Sequence, residues 1–170
     1  MARMPEPTLA SLPPRDPRGH KGTFGTVIVV GGCAARQSRM IGAPALAARA
    51  ALRAGCGLAK IAAPGPILDA AVSLVPSATG TALDVNEHEC VIPHLAAEAL
   101  DRLLPASECL VMGPGLGWAA RETGSLVDDA RSISSRALVQ RAMQQEDVPV
   151  VLDADGLNAL SDGPEYWRDM

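Results

Sequence analysis

Apolar residues along this chain fall into short blocks divided by glycine and proline, and only some blocks carry a helical period. Val27–Val30 is an unbroken β-branched run, the pattern of a strand covered on both faces in a parallel sheet. Gly31 and Gly32 end it. Gly42-Ala43-Pro44 then opens a helix, roughly Pro44 to Ala54, that is almost all alanine and leucine. Arg49 and Arg53, four apart, mark its solvated face. Gly55 and Gly57 stop the helix and Leu58–Ala63 resumes as a strand. His20 to Ala63 thus predicts a βαβ unit, with a ligand expected at its Gly-rich first turn.

The pattern continues less evenly. After Pro64-Gly65-Pro66 a short helix, about Ile67 to Ala71, leads into Val72–Ala78. Thr79 to Glu89 is polar and reads as a loop or edge hairpin. Leu95, Ala99 and Leu103 have helical spacing that ends at Pro105. Glu108–Met112 predicts a short buried strand running into Gly113-Pro114-Gly115-Leu116-Gly117. Ala119 to Glu146 reads as polar helix, broken in two around Ser132–Ser135. Asp147–Leu152 predicts another buried strand, which empties into Asp153-Ala154-Asp155-Gly156-Leu157-Asn158. Ser161 to Met170 contains no further strand. Strands alternating with helices in this way define an α/β fold with a mostly parallel central sheet.

Composition narrows the function classes. With 170 residues, 48% hydrophobic and 20% charged, the chain is one domain or part of a larger one, with a real core. The aromatic residues are Phe24, Trp118, Tyr166 and Trp167, so the core must be built from Ala, Val, Leu and Ile. Few aromatics and a net charge of −4 argue against a nucleic-acid partner. No apolar run approaches the roughly 18 residues of a membrane span, and the N-terminus lacks a signal-peptide pattern, so cytoplasmic residence is expected. Cys33, Cys56, Cys90 and Cys109 form no C-x-x-C pair and read as small buried hydrophobes, with Cys33 set in the expected ligand loop. Residues 1–19 hold five of the fourteen prolines and read as an extended N-terminal arm, leaving 20–170 as the domain.

Candidate chemistry lies at the strand ends. The loop from Gly32 to Gly42, with Arg36, Gln37, Ser38 and Arg39, matches neither G-x-x-x-x-G-K-[ST] nor G-x-G-x-x-G. Helix N-termini bind anions through unpaired N–H groups all the same, so Gly42 and Ala43 are candidate contacts. His20-Lys21-Gly22-x-x-Gly25 offers a cation and free amides before the first strand. In Gly113-Pro114-Gly115-Leu116-Gly117 the missing side chains leave the backbone open to a ligand. Asp153 and Asp155 stand where open α/β sheets bind ligands and Mg2+, although Asp155 equally suits a cap for a short helix at Leu157–Leu160. His88, Cys90 and His94 match no zinc spacing.

Four segments in order, HKG-x-x-G, the GA that opens an Ala-rich helix ending in RAGCG, GPGLG and DADGLNAL, resemble the NAD(P)H-hydrate dehydratases. The resemblance runs from about Leu12 to Leu160. It implies a three-layer ribokinase-like fold and an ADP- or ATP-dependent enzyme, with Mg2+, acting on hydrated NADH or NADPH. Members phosphorylate the hydroxyl of the hydrated nicotinamide ring, and loss of phosphate restores the dinucleotide. The family's hydrate-binding positions fall on Ala43, after Gly42, and on Gly115. Lys21, Asp153, Asp155 and Asn158 match positions near the same cleft.

The family pattern continues with a T-P-H segment, a Lys-Gly strand end and a G-T-G-D turn whose aspartate is the general base. None of these follows Asn158, and the loop CAARQSRMIGA is longer and more basic than the usual Ser/Gly-rich version. The expectation is therefore an apparently truncated, N-terminal portion of the fold, carrying the substrate side and no catalytic base. An open sheet edge would be covered by self-association, as a homo-oligomer, or by a complementing C-terminal chain. The alternative is an inactive dinucleotide-binding module or a subunit of a split enzyme. An unrelated Rossmann-type protein is disfavoured, since G-x-G-x-x-G and an acidic residue closing the second strand are both missing.

Overall fold

The computed structural model describes residues 14–36, 38–117 and 126–161. Its elements are β1 (Thr26–Val30), α1 (Gly42–Ala54), β2 (Leu58–Pro64), α2 (Gly65–Ser73), β3 (Thr79–Leu83), α3 (Pro93–Leu103), β4 (Cys109–Met112), α4 (Leu126–Met143), β5 (Val150–Leu152) and α5 (Asp155–Ser161). The five strands form one sheet in the order β3-β2-β1-β4-β5, every pair parallel. Such a sheet needs a crossover between neighbours, and the helices between the strands supply it.

The β-branched run folds as its pattern requires. Alternate side chains of β1 serve opposite faces. Ile28 and Val30 join Leu110 and Met112 of β4 beneath Ala96 and Leu100 of α3, Leu138 and Val139 of α4, and Ala159 and Leu160 of α5. Val29 joins Ile61 and Ala63 of β2 beneath Ala45 and Ala48 of α1 and Ile67 and Ala71 of α2. Two cores, one on each side of the sheet, make three layers. Alanines at Ala45 and Ala48 are nearly or wholly buried, which lets α1 lie close on the sheet.

Several elements differ from the sequence reading. Thr79–Leu83 is a parallel strand beside β2, not a loop or hairpin. Its two-sided burial is incomplete because it is an edge, and that is why it reads as polar. The helix at Ser132–Ser135 does not break; α4 runs through it, with Ser134 and Ser135 buried. β5 is shorter than Asp147–Leu152, and as the other edge strand it leaves Val151 53% exposed rather than buried. Of the N-terminal arm, Arg15 is tied to the domain: its guanidinium donates to the Gly55 carbonyl at 2.9 Å and lies 3.8 Å over the Phe24 ring. Residues 1–13, Gln37, Trp118 and the predicted strandless stretch 162–170 lie outside the described residues.

Candidate functional site at the strand tips

The strand order decides where a site can form. Chain connections run outward from β1 through β2 to β3, then return to β4 and β5 on its other side. The reversal makes a topological switch point between β1 and β4, and open α/β sheets bind ligands in the crevice beyond the carboxyl ends of such a pair. β1 ends at Gly31-Gly32 and leads through the loop to α1. β4 ends at Gly113–Gly117. The two tips are joined directly, Gly32 N–H donating to the Pro114 carbonyl at 3.0 Å and Gly113 N–H to that of Val30 at 3.1 Å.

Gly115 carries φ 69° and is buried; a β-carbon placed on it would stand 3.2 Å from that of Met40 and 3.4 Å from that of Ala43. Ala43 and Gly115, far apart in sequence, therefore lie against each other beside the switch-point crevice. Ala43 is exposed in the first turn of α1, behind Gly42. No side chain caps this helix start, since its N-cap residue is Ile41. The first-turn N–H groups of this 13-residue helix therefore have no side-chain cap, and the positive end of the helix dipole lies at the same place. One turn further on, Leu46 is 66% exposed, an apolar surface beside Ala43 that the sequence reading passed over as ordinary helix. An exposed leucine in a helix otherwise faced with alanine and arginine was the available signal.

The β5 tip closes the group. Asp153 is exposed and its N–H donates to the Met112 carbonyl at 3.0 Å. Asp155 Oδ2 accepts from Gly117 N–H at 2.8 Å, and its Oδ1 accepts from the Asn158 side-chain amide at 3.2 Å. Asp155 lies within the first turn of α5, so it braces the glycine turn instead of capping a helix at Leu157–Leu160. Asn158 is exposed beside it. Gly42, Ala43, Gly115, Asp153, Asp155 and Asn158 share this edge of the sheet.

Lys21 does not. It starts a short 3-10 turn, Lys21–Phe24, whose last carbonyls, Phe24 and Gly25, accept from Gly57 N–H at 3.1 and 3.0 Å. Gly57 precedes β2, and Thr26 pairs with Leu58 at the starts of two parallel strands. The turn therefore sits at the amino edge, with a five-residue strand of roughly 16 Å between it and the tips. His20 caps that turn, its Nδ1 accepting from Gly22 N–H at 3.1 Å. The segment holds sheet starts together and presents no cation to the crevice. Sequence proximity to β1 suggested the opposite, because a linear reading does not say which end of a strand a neighbour occupies.

Behind the tips lies a small cavity of about 20 Å³, room for about one water molecule, between the sheet and α4. Gly32, Cys33, Glu89, Cys90, Leu116 and Ser134 are among its lining residues, so it shares a wall with the crevice through Gly32 and Leu116. Cys33 is buried, bridged antiparallel to Met40, and faces this cavity. His88 and His94 are exposed and Cys90 is buried. Among the described residues no three His, Cys, Asp or Glu side chains converge on a point that would hold a metal ion. Each Asp155 oxygen accepts one hydrogen bond, and Asp153 stands exposed beside it.

Parallel sheet, switch point and glycine tips define a three-layer α/β protein whose chain direction reverses between its first and fourth strands. The NAD(P)H-hydrate dehydratase family profile matches residues 27–169, and the chain belongs to that family. It is 34% identical over 152 residues to a bifunctional NAD(P)H-hydrate repair enzyme of Salinibacter ruber, a match covering 88% of this chain and 24% of that protein. Among solved structures it is similar to the ADP/ATP-dependent NAD(P)H-hydrate dehydratase of Bacillus subtilis, co-crystallised with ATP and Mg2+. That similarity has 28% identity and a TM-score of 0.60, covering 86% of this chain and 43% of the other. A ribokinase-like superfamily protein of Enterococcus faecalis, 19% identical with a TM-score of 0.63, shares the fold over 89% of this chain and 44% of its own. The chain thus spans about a quarter of the bifunctional relative and under half of either structural neighbour.

Proposed function

We propose that this chain is the substrate-binding side of an NAD(P)H-hydrate dehydratase and receives the hydrated nicotinamide of NADHX or NADPHX at the strand tips, against the small residues Ala43 and Gly115. One observation carries the reading: residues separated widely in sequence, and matching the family's hydrate-binding positions, stand 3.4 Å apart by their β-carbon positions at the switch point. The uncapped start of α1 supplies N–H donors and positive potential suited to the phosphates or hydroxyls of a dinucleotide. Asp155 and Asn158 keep the glycine turn in place, and Asp153 presents an exposed carboxylate at the rim.

Phosphorylation of the ring hydroxyl by ADP or ATP, and loss of that phosphate, rest on further polypeptide corresponding to the remaining length of the relatives. The work of the residues at the strand tips is to bind and orient the hydrate. The exposed β5 edge is where the adjoining polypeptide, or a second copy, pairs. In this reading the protein acts in the cytoplasm on a small-molecule substrate; among the described residues no helix is long and apolar enough to cross a membrane.

Titration calorimetry with NADPHX tests the reading. The wild-type chain should bind, and Gly115→Ala should weaken binding by about tenfold, since the added methyl would crowd Met40 and Ala43 at the proposed site. Equal affinity in the two proteins, or no binding by the wild type, would end the assignment. Turnover should appear only when ADP or ATP and a chain carrying the C-terminal half are added. Binding that persists with no turnover in any such mixture would leave a dinucleotide-binding module.

A further inference from the structure

We infer that Arg39 and Glu89 are positioning residues that hold Met40 against Gly115 and thereby keep the glycine turn after β4 in place at the binding site. The inference rests on the proposed function for what binds there, and on the following geometry for the clamp itself.

Glu89 has φ 60°, a left-handed backbone conformation that costs a non-glycine residue roughly 1 kcal/mol. The turn around it is over-determined. Asn86 Oδ1 accepts from both His88 N–H (2.9 Å) and Cys90 N–H (3.0 Å), Glu89 N–H donates to the Asn86 carbonyl at 3.0 Å, and Val85 bridges Val91. This small hairpin follows β3 and turns the Glu89 side chain toward the loop after β1. There its Oε1 accepts from Arg39 Nη2 at 3.1 Å. Its other oxygen, Oε2, is buried with no hydrogen-bond partner among the described residues.

Arg39 belongs to a second small hairpin. Cys33 N–H donates to the Met40 carbonyl at 3.1 Å and Met40 N–H returns to the Cys33 carbonyl at 2.9 Å. Met40, next to Arg39, is the residue whose Cβ and Sδ lie 3.2 and 3.8 Å from the β-carbon position of Gly115. An exposed ion pair by itself is worth little. A strained backbone together with a carboxylate oxygen kept from water is a different matter, because the fold retains both only if the surroundings impose them. The one partner that this arrangement secures is Arg39, and what Arg39 anchors is the packing of Met40 against the glycine turn.

Amide hydrogen exchange at Cys33 and Met40, read alongside thermal unfolding and calorimetry with NADPHX, tests the clamp. Glu89→Gln removes the charge. Glu89→Gly removes the side chain while relieving the backbone, so it should unfold no earlier than wild type. Both should raise exchange at Cys33 and Met40 by about fivefold and weaken NADPHX binding by a similar factor. The reversed pair, Arg39→Glu with Glu89→Arg, should restore both readouts toward wild type. Unchanged exchange in the single variants, no rescue in the reversed pair, or faster exchange with unaltered affinity would each overturn the inference. Absence of NADPHX binding by the wild type would remove the proposed function, and exchange with rescue would still decide whether the clamp exists.

Discussion

Ala154 and Gly113 show how the strand tips depend on single backbone angles. Ala154 has φ 43° and Gly113 φ 122°, adjacent on the tips of β5 and β4. A β-carbon on Gly113 would overlap the Asp153 carbonyl and stand 2.6 Å from the Gly156 nitrogen. Urea denaturation should therefore show Gly113→Ala destabilised by about 3 kcal/mol, whereas Ala154→Gly should be neutral or stabilised by up to about 1 kcal/mol. Burial holds the Cys56 thiol above its ordinary value of 9.0, against smaller opposing effects of the Leu58 amide and Arg15, and burial does the same for Cys109. The folded protein keeps these protons longer than the unfolded chain. The stability they contribute is complete below pH 9.0 and falls as pH rises beyond it toward the folded values. Alkylation at pH 8 should accordingly be slower for Cys56 and Cys109 in the native protein than in urea, followed by mass spectrometry. At this scale the glycines at Gly113 and Gly115 were legible in the sequence because nothing else fits such turns. Lys21 misled, since its chemistry suits an anion but its place is the far edge of the sheet.

Among the elements, α4 and α5 depart most from their sequence patterns. Serines compete with the helix backbone for hydrogen bonds, so Ser132–Ser135 reads as a break. Packing overrides that preference: Ser134 and Ser135 are buried inside one continuous helix, against the cavity behind the crevice. α5 is tied to the β4 tip by the Asp155 carboxylate. Asp155→Ala should lower stability by about 2 kcal/mol, because Gly117 N–H then loses a charged acceptor in a half-buried place, and NADPHX affinity should fall with it. Asn158→Ala should cost under about 1 kcal/mol, since Asn158 is exposed and makes a longer bond. Thermal unfolding of the two variants side by side measures the difference. β1, α1 and β2 were readable from hydrophobic period and glycine stops. β3 was not, because an edge strand lacks the two-sided burial that makes its neighbours recognisable.

For the whole molecule, the open edge at β5 is the feature with the largest consequence. Val151 is 53% exposed there, and Leu157 in the following helix is 55% exposed. A strand edge with an exposed β-branched residue is a template for pairing. Val151→Lys should reduce self-association, or association with a complementing C-terminal chain, by about tenfold in sedimentation experiments, with little change in unfolding temperature. Sequence alone determined the alternation of strand and helix, and so the α/β class, and the identity of the glycine-bearing turns, because these follow from local period and from backbone angles that only certain residues adopt. The three-layer form came only with the family resemblance. Strand order was beyond it. Only the tertiary structure placed β1 beside β4, set Ala43 against Gly115, sent Lys21 to the opposite edge and brought Arg39 to Glu89, since contacts between distant segments depend on how the crossovers pack and not on any stretch of sequence taken singly.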